Sequence, residues 1–579
     1  MKPAVVTEAD AEALALLQKK VEYYASAVSF TQATHRAMET VMELLDSKAP
    51  TDVQEAIGFI VLADHFKVEK SAAGVRKMMM LVWSKNAAIK EHVIAAYKTL
   101  FLTRPTEGVH RSQKAMAIAT SLVSLVVGAT LGEVTSLEEI VTDMVNAGHI
   151  KDSTLAALWS MFGSQSASSE QSQAALMIIS MAGNAQPKLI EANLGKLIAI
   201  GLPQNISTGV GNKLAQHACV ALQKLAPLGL QLPASHQLFE HLRGLLVNDT
   251  AVAPAERAAF DRSWFATAEQ ALNTLFMLCA EPEEFCTSIV RALCSPERMW
   301  QSGGAVSKRG LSRVLFAVGH TAVKQFVYIE TVSSKMKKDA DAAEKKKAEK
   351  EKKSDDAPGS PRGLDAELGI SAAIEEGEVE AVREMAEAEI LSRMNLVGRF
   401  SSVITSLCGT AYRDNKSDGE SAALRVPEDV RAVAVLALCK LMAVGAEFCE
   451  PNLRLLFTIL KKDPSPRIRA NIIIALGDLF FRFPNMLEPW SSHFFARLSD
   501  HDLTVRKHTL MALTHLILND MVKVRAQVSD IAMCLEDEEP RMQDLARMFF
   551  NELAHKGTNN PIYVRPLPPW TPIATGCNV

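Results

Sequence analysis

One pattern constrains this chain more than any other. The segments VRAVAVLALCKL from Val430, IRANIIIALGDL from Ile468, VRKHTLMALTHL from Val505 and MQDLARMFFNEL from Met542 align on a shared motif. Their second residues, Arg431, Arg469, Arg506 and Gln543, follow one another at 38, 37 and 37 residues. Seven residues later come Leu438, Leu476, Leu513 and Phe550, and three further on Leu441, Leu479, Leu516 and Leu553. Apolar positions at i, i+3 lie on one helical face, so each copy predicts a helix with one buried stripe. Glu450-Pro451 and Glu488-Pro489 recur before helices ending near Leu460 and Leu498, with Leu535 one period on. Proline suits a first helical turn. Each period therefore reads as helix, short turn, helix. That is the unit of an α-solenoid of HEAT type (armadillo-like), and the expected fold class is all-α.

A polar detail follows the same interval. Asp463, Asp500 and Asp537 each stand six residues before Arg469, Arg506 and Gln543. In HEAT repeats such an Asp and the following Arg commonly form a ladder between neighbours, so Asp463, Arg469, Asp500 and Arg506 are expected to be structural. Gln543 is expected to weaken it. Fainter echoes occur in AAIKEHVIAAYKTLFL from Ala87, ACVALQKL from Ala218 and AEQALNTLFML from Ala268. Irregular copies fit an array whose units need only an apolar face against each neighbour.

The expected organisation is HEAT-like repeats over 1–333, a charged and largely disordered linker over 334–385, repeats again over 386–557 and an irregular Pro-rich tail over 558–579. The linker rests on KMKKDADAAEKKKAEKEKKSDDAPGSPRG, residues 335–363, which has no apolar stripe and cannot join a core. It is read as a frayed helix running into a solvated insertion, with contact of its lysines to DNA as the alternative.

Composition agrees with helices: 48% hydrophobic, 6% aromatic, and a formal net charge of −4 that argues against a globally basic nucleic-acid binder. Nine scattered cysteines without a C-x-x-C pair read as buried thiols in a reduced compartment. Asn205-Ile206-Ser207 and Asn248-Asp249-Thr250 read as chance matches to the glycosylation pattern, since no secretory signal is expected. The uncharged stretch AMAIATSLVSLVVGATLG, residues 115–132, lacks an arginine cluster and an aromatic belt; it reads as a buried helix, not a membrane span.

No residues present themselves for catalysis. His501, His508 and His515 recur every seven residues, but seven helical residues span about 10 Å, too far for one ion to bridge them. GVGNKL at Gly209 has no strand before it and no third glycine, and no Walker, G-x-S-x-G or H-E-x-x-H motif occurs. The expectation is no enzyme, no cofactor, no metal and no small-molecule substrate. Between Lys461 and Lys556 basic and acidic residues balance. DNA or partner contacts therefore require a one-sided arrangement, for which Lys461, Lys462, Arg467, Arg506, Lys507, Lys523 and Arg525 are the candidates. Ser-Pro steps occur at Ser295, Ser360 and Ser465. Ser360 in the linker and Ser465 before a helix are candidate phosphosites; at Ser465 a phosphate would face a helix N-terminus and basic neighbours, the alternative being plain turn chemistry.

Between residues 466 and 557 the pieces GDLFFRFPN, EPW, ARLSD, THLILNDMVKVR and FFNELAHKG, then Pro561-Ile562-Tyr563, closely resemble the condensin complex subunit 1 family, the D-type HEAT-repeat subunit of condensin I. LSRVLFAVGHTAVKQFVYIE from Leu311, FCEPNLRLLFTIL from Phe448 and GVRKMMMLVWSKNAAIKEHVIAAY from Gly74 extend the resemblance in the same order. It is weakest over 150–310 and in the linker. The resemblance implies a non-catalytic regulatory scaffold that binds the kleisin subunit and, through it, the SMC ATPase pair, with chromatin, DNA and histones as further partners. It implies a place in the nucleus and on chromosomes with a cytoplasmic pool, and regulation by mitotic kinases. Family members are longer at both ends, so the chain is expected to be an incomplete or alternatively spliced product. The alternative is a HEAT transport receptor or adaptor; an unrecognised enzyme would need a clustered His, Asp or Ser pocket.

Overall fold

Helix starts carry their own chemistry. Thr130 and Ser168 each accept from the backbone N–H three residues on, while Glu133 and Gln171 reach back to close a capping box. Pro50, Pro466 and Pro540 occupy first helical positions, where the missing N–H costs no intrahelical bond. The computed structural model describes residues 8–164, 168–204, 208–248, 252, 257–300, 306–351, 381–411, 426–522 and 528–556. Among them the only β-structure is two isolated bridges, Leu232 with Cys279 and Trp300 with Val306. The chain forms two compact units, Met1–Ala280 and Glu281–Val579.

In the first unit, the helices Pro50–His65, Ala87–Tyr97, Leu131–Asn146, Ser169–Ala185, Gly209–Gln223 and Arg257–Leu278 stack each on the next. Their starts follow one another at 37, 44, 38, 40 and 48 residues, a looser interval than that of the C-terminal motif, and the faint copies at Ala87, Ala218 and Ala268 all fall on this series. Polar side chains also stitch the stack. Lys90 binds Glu139 and Asp143 at 2.8 and 2.9 Å, and Glu138 accepts from Asn184 and Lys224, both at 2.7 Å. Further along, Gln223 donates to Gln270 at 2.9 Å and Asn212 to Ser263 at 2.9 Å. The expected helix over 115–132 is two: Lys114–Val126 ends and Leu131–Asn146 begins, with Gly128 at φ 72° making the turn. No described helix is long and apolar enough to cross a membrane.

In the second unit, Lys308–Glu351 packs directly on Glu428–Val444, which packs on Pro466–Arg482, then Leu503–Leu518, then Pro540–His555. The array thus closes across the intervening segment, whose residues 352–380 lie outside the described residues. Gly319 makes this contact close: a Cβ there would stand 2.9 Å from the Ala437 Cα. Between the motif helices run Ala446–Lys462, then the short turns Pro484–Leu487, Glu488–Trp490, Ser491–Phe495 and Ala496–Ser499, then Val528–Met533 and Cys534–Glu536.

Two local expectations change. Pro451 lies inside the helix Ala446–Lys462 and Pro489 within a 3-10 turn, so the recurring Glu-Pro marks a point past the start, not the start itself. In the last motif Phe549 is buried and Phe550 only half-buried. Arg482, the charge that ends the apolar helix Pro466–Arg482, is a structural anchor. It donates to Glu387 and to the Val444 carbonyl, both at 3.1 Å, and its guanidinium lies 3.9 Å from the Phe326 ring centroid.

Candidate functional site

The repeat turns of the second unit are fixed by one polar constellation used three times. Asp463, Asp500 and Asp537 each accept the backbone N–H two residues on, at 2.8, 3.0 and 3.0 Å, which folds an Asx turn ahead of the next helix. Each also receives both arms of an arginine from the preceding motif helix: Arg431 on Asp463, Arg469 on Asp500, Arg506 on Asp537. The third nitrogen of Arg469 and of Arg506 reaches back to the carbonyl of Asp463 and of Asp500, at 2.9 and 3.1 Å. Gln543 keeps only that backward bond, to the Asp537 carbonyl at 2.9 Å.

Burial is deepest at the first rung, where the side chains of Arg431 and Asp463 are 7% and 0% exposed. Burial pushes the Asp500 carboxyl up, but hydrogen bonds from Arg469 and the Asp502 N–H, with the charges of Arg469 and Arg497, outweigh it and hold the group below the ordinary aspartate range. At Asp537 burial is likewise outweighed, by the Glu539 N–H and Arg506. Arg506 is thus committed to the ladder and is not presented as a nucleic-acid contact. Arg431 and Asp537 belong to the ladder too and were not among the expected members.

Ser465 is enclosed by the same turn. It is 7% exposed, and its hydroxyl donates to Glu428 at 2.6 Å. A phosphate there would meet the Glu428 and Asp463 carboxylates, while the nearby Arg431 and Arg469 are already engaged by Asp463 and Asp500. Ser360, Lys523 and Arg525 lie outside the described residues.

The remaining candidates divide. Lys461 and Lys462, at the end of Ala446–Lys462, line a groove of about 440 Å³ against the turns that carry Trp490 and Arg497. Arg454 and His493 complete its polar rim, and no lining residue is acidic. Its floor is aromatic: Trp490 stacks on buried Phe457 at 4.8 Å with planes 7° apart, and His493 stands edge-on to both rings at 5.9 Å. Arg467 is exposed and Lys507 half-buried, and neither lines the groove. Arg454, Trp490, His493 and Arg497 were missed. A signal existed, since the repeat alignment that pairs Leu460 with Leu498 sets Lys461 and Arg497 on neighbouring turns.

Such a groove offers cations at its rim and ring faces at its base, which suits a polyanion with flat groups. It holds no arrangement for chemistry. Among the described residues no three His, Cys, Asp or Glu side chains could hold a metal ion. Seven of eight described thiols are buried, and burial pushes Cys219, Cys408 and Cys449 to about 12. His501 is exposed in the turn before Leu503–Leu518, apart from His508 and His515 on that helix.

Stacked helix pairs joined by an Arg–Asp ladder define an α-solenoid of HEAT type. The cohesin loader SCC2 of Chaetomium thermophilum, as a C-terminal fragment, has a similar fold: TM-score 0.51 and 10% identity, over 96% of this chain and 37% of that one. Residues 467–566 match the family described as non-SMC mitotic condensation complex subunit 1. The chain is 33% identical over 560 residues to condensin complex subunit 1 of Xenopus laevis, covering 94% of this chain and 39% of that protein. It is 32% identical over 563 residues to condensin-1 complex subunit CAP-D2 of Arabidopsis thaliana, covering 92% and 38%. Similarity to condensin subunit 1 runs along 94% of the chain. The chain spans about two fifths of the length of these relatives.

Proposed function

We propose that this chain serves condensin as a non-catalytic scaffold supporting mitotic chromosome condensation, and that it acts in the nucleus and on chromosomes. The observation that carries this reading is similarity to condensin subunit 1 along 94% of the chain, including the segments that build the ladder. The physics fits a passive part. A ladder of buried ion pairs fixes the register of successive helix pairs, so the surface they present is held in one geometry. A preformed surface lets an extended partner bind at the cost of ordering only itself. In this reading the kleisin subunit lies on the repeats and brings the SMC ATPase pair, and the basic groove at Lys461, Lys462 and Trp490 contacts the phosphates of chromosomal DNA. ATP hydrolysis belongs to the partners.

The test is affinity purification of the tagged full-length gene product from mitotic cells. Kleisin and SMC subunits are expected in stoichiometric amounts. Recovery of transport GTPases or coat proteins in their place would overturn the reading in favour of a transport receptor or adaptor.

A further inference from the structure

A second surface of the motif helices repeats at the same interval as the ladder and carries half-exposed apolar side chains. Five residues after Arg469, Arg506 and Gln543 stand Ile474, Met511 and Met548, exposed to 48%, 48% and 51%. Their helices stack in sequence, so the three side chains form a row running from repeat to repeat. Phe481, 54% exposed, widens the row at its first member. Between Ile474 and Met511 lies a groove of about 480 Å³. A Cβ on Gly477 would stand 3.6 Å from that of Ala512, so the two helices approach closely beneath it. Asp478 opens into this groove; among the described residues it makes no hydrogen bond and no ion pair, and its electrostatic neighbours are His515 and the Cys439 thiol. His508 also lines the groove.

The geometry points to a docking track for an extended partner segment in polyproline II conformation, with an apolar side chain at every third residue and a Lys or Arg opposite Asp478. Two spacings meet here. Closely packed helices lie about 8–10 Å apart, so successive row members are separated by about that distance. A polyproline II chain rises about 3.1 Å per residue and repeats its face every three residues, which is about 9 Å. One apolar side chain can therefore settle on each repeat without strain. A helical ligand crossing the row would near the next member only with every second turn, about 10.8 Å on, and would drift out of register along the row. The lone carboxylate sets the direction of charge complementarity. This inference rests on the scaffold reading above, and its test does not depend on condensin partners.

The experiment uses the full chain and a fluorescein-labelled twelve-residue peptide, PLPPLRPLPPLP, read by fluorescence anisotropy. Saturable binding is expected. The double variant Ile474→Ser/Met511→Ser should weaken it at least tenfold, and Asp478→Asn should weaken it several-fold for this peptide but not for its Arg→Gln version. Because all three positions are at the surface, circular dichroism and thermal unfolding should match the parent chain. Equal affinity for a peptide with leucines at every second residue would overturn the proposal, as would unaltered binding by the double variant. So would tighter binding of an amphipathic helical peptide, or a dimer in sedimentation velocity that Met511→Ser dissolves, since a helix or a second copy would then be the occupant. Peptide binding that persists while kleisin fails to co-purify would sink only the condensin reading.

Discussion

Arg469 grips both oxygens of Asp500, at 3.1 and 2.8 Å, while its remaining nitrogen holds the carbonyl of Asp463, 2.9 Å away in the preceding turn. One side chain therefore joins two repeat turns, and Arg506 does the same one period later. The rung is buried, with side chains 13% and 4% exposed.

Truncating Arg469 should cost far more than truncating a surface arginine. Arg469→Met strands the Asp500 carboxylate in a site built for a cation, and loss of one member of a buried pair typically costs about 3 kcal/mol or more. Arg467→Met, two residues away and exposed, should change stability by less than about 0.5 kcal/mol. Urea denaturation of both variants measures the contrast. Equal midpoints would show that the ladder carries no stability.

Acid should loosen this array at the ladder. Asp500 and Asp537 are held below the ordinary aspartate value when folded. Their contribution is complete above the unfolded value, about pH 3.9, and is lost as pH falls through the lower folded values. Denaturation midpoints should therefore hold steady from pH 7 to about pH 5 and fall below about pH 4. Asp500→Asn should be less stable at neutral pH and show a shallower acid decline. A parallel decline in both proteins would remove Asp500 as its source.

Two glycines should respond in opposite ways to alanine. Gly319→Ala forces a methyl to 2.9 Å from the Ala437 backbone and should wedge Lys308–Glu351 away from Glu428–Val444, costing about 1–3 kcal/mol. Gly409→Ala, with nothing within 4 Å of its new Cβ, should be neutral or stabilising by up to about 1 kcal/mol, the helix propensity difference. Calorimetric unfolding of the two variants distinguishes them.

Neutralising the groove should reveal itself in salt dependence. If Lys461 and Lys462 contact phosphates, Lys461→Gln/Lys462→Gln should lower the slope of log affinity against log salt by about 1.8 for duplex DNA. Arg467→Gln, outside the groove, should leave that slope within error. Equal slopes for parent and double variant would remove this groove from the DNA path.

The sequence by itself determined the repeat and its register. The interval of 37 or 38 residues, the paired leucines and the Asp six residues before each Arg reflect demands every stacked helix pair must meet locally, so they recur visibly. The resemblance to condensin subunit 1 was legible for the same reason, in strings such as GDLFFRFPN and FFNELAHKG. Tertiary structure alone decided which side chains share a surface. It joined Lys461 and Lys462 to Trp490 and Arg497 and withdrew Arg506 into an ion pair. It also buried Ser465 on Glu428 and aligned Ile474, Met511 and Met548 in one exposed row. Such neighbours lie tens of residues apart and meet only once helices stack at a definite rotation. A one-dimensional pattern records which face of a helix is apolar, but not what the next helix sets beside it.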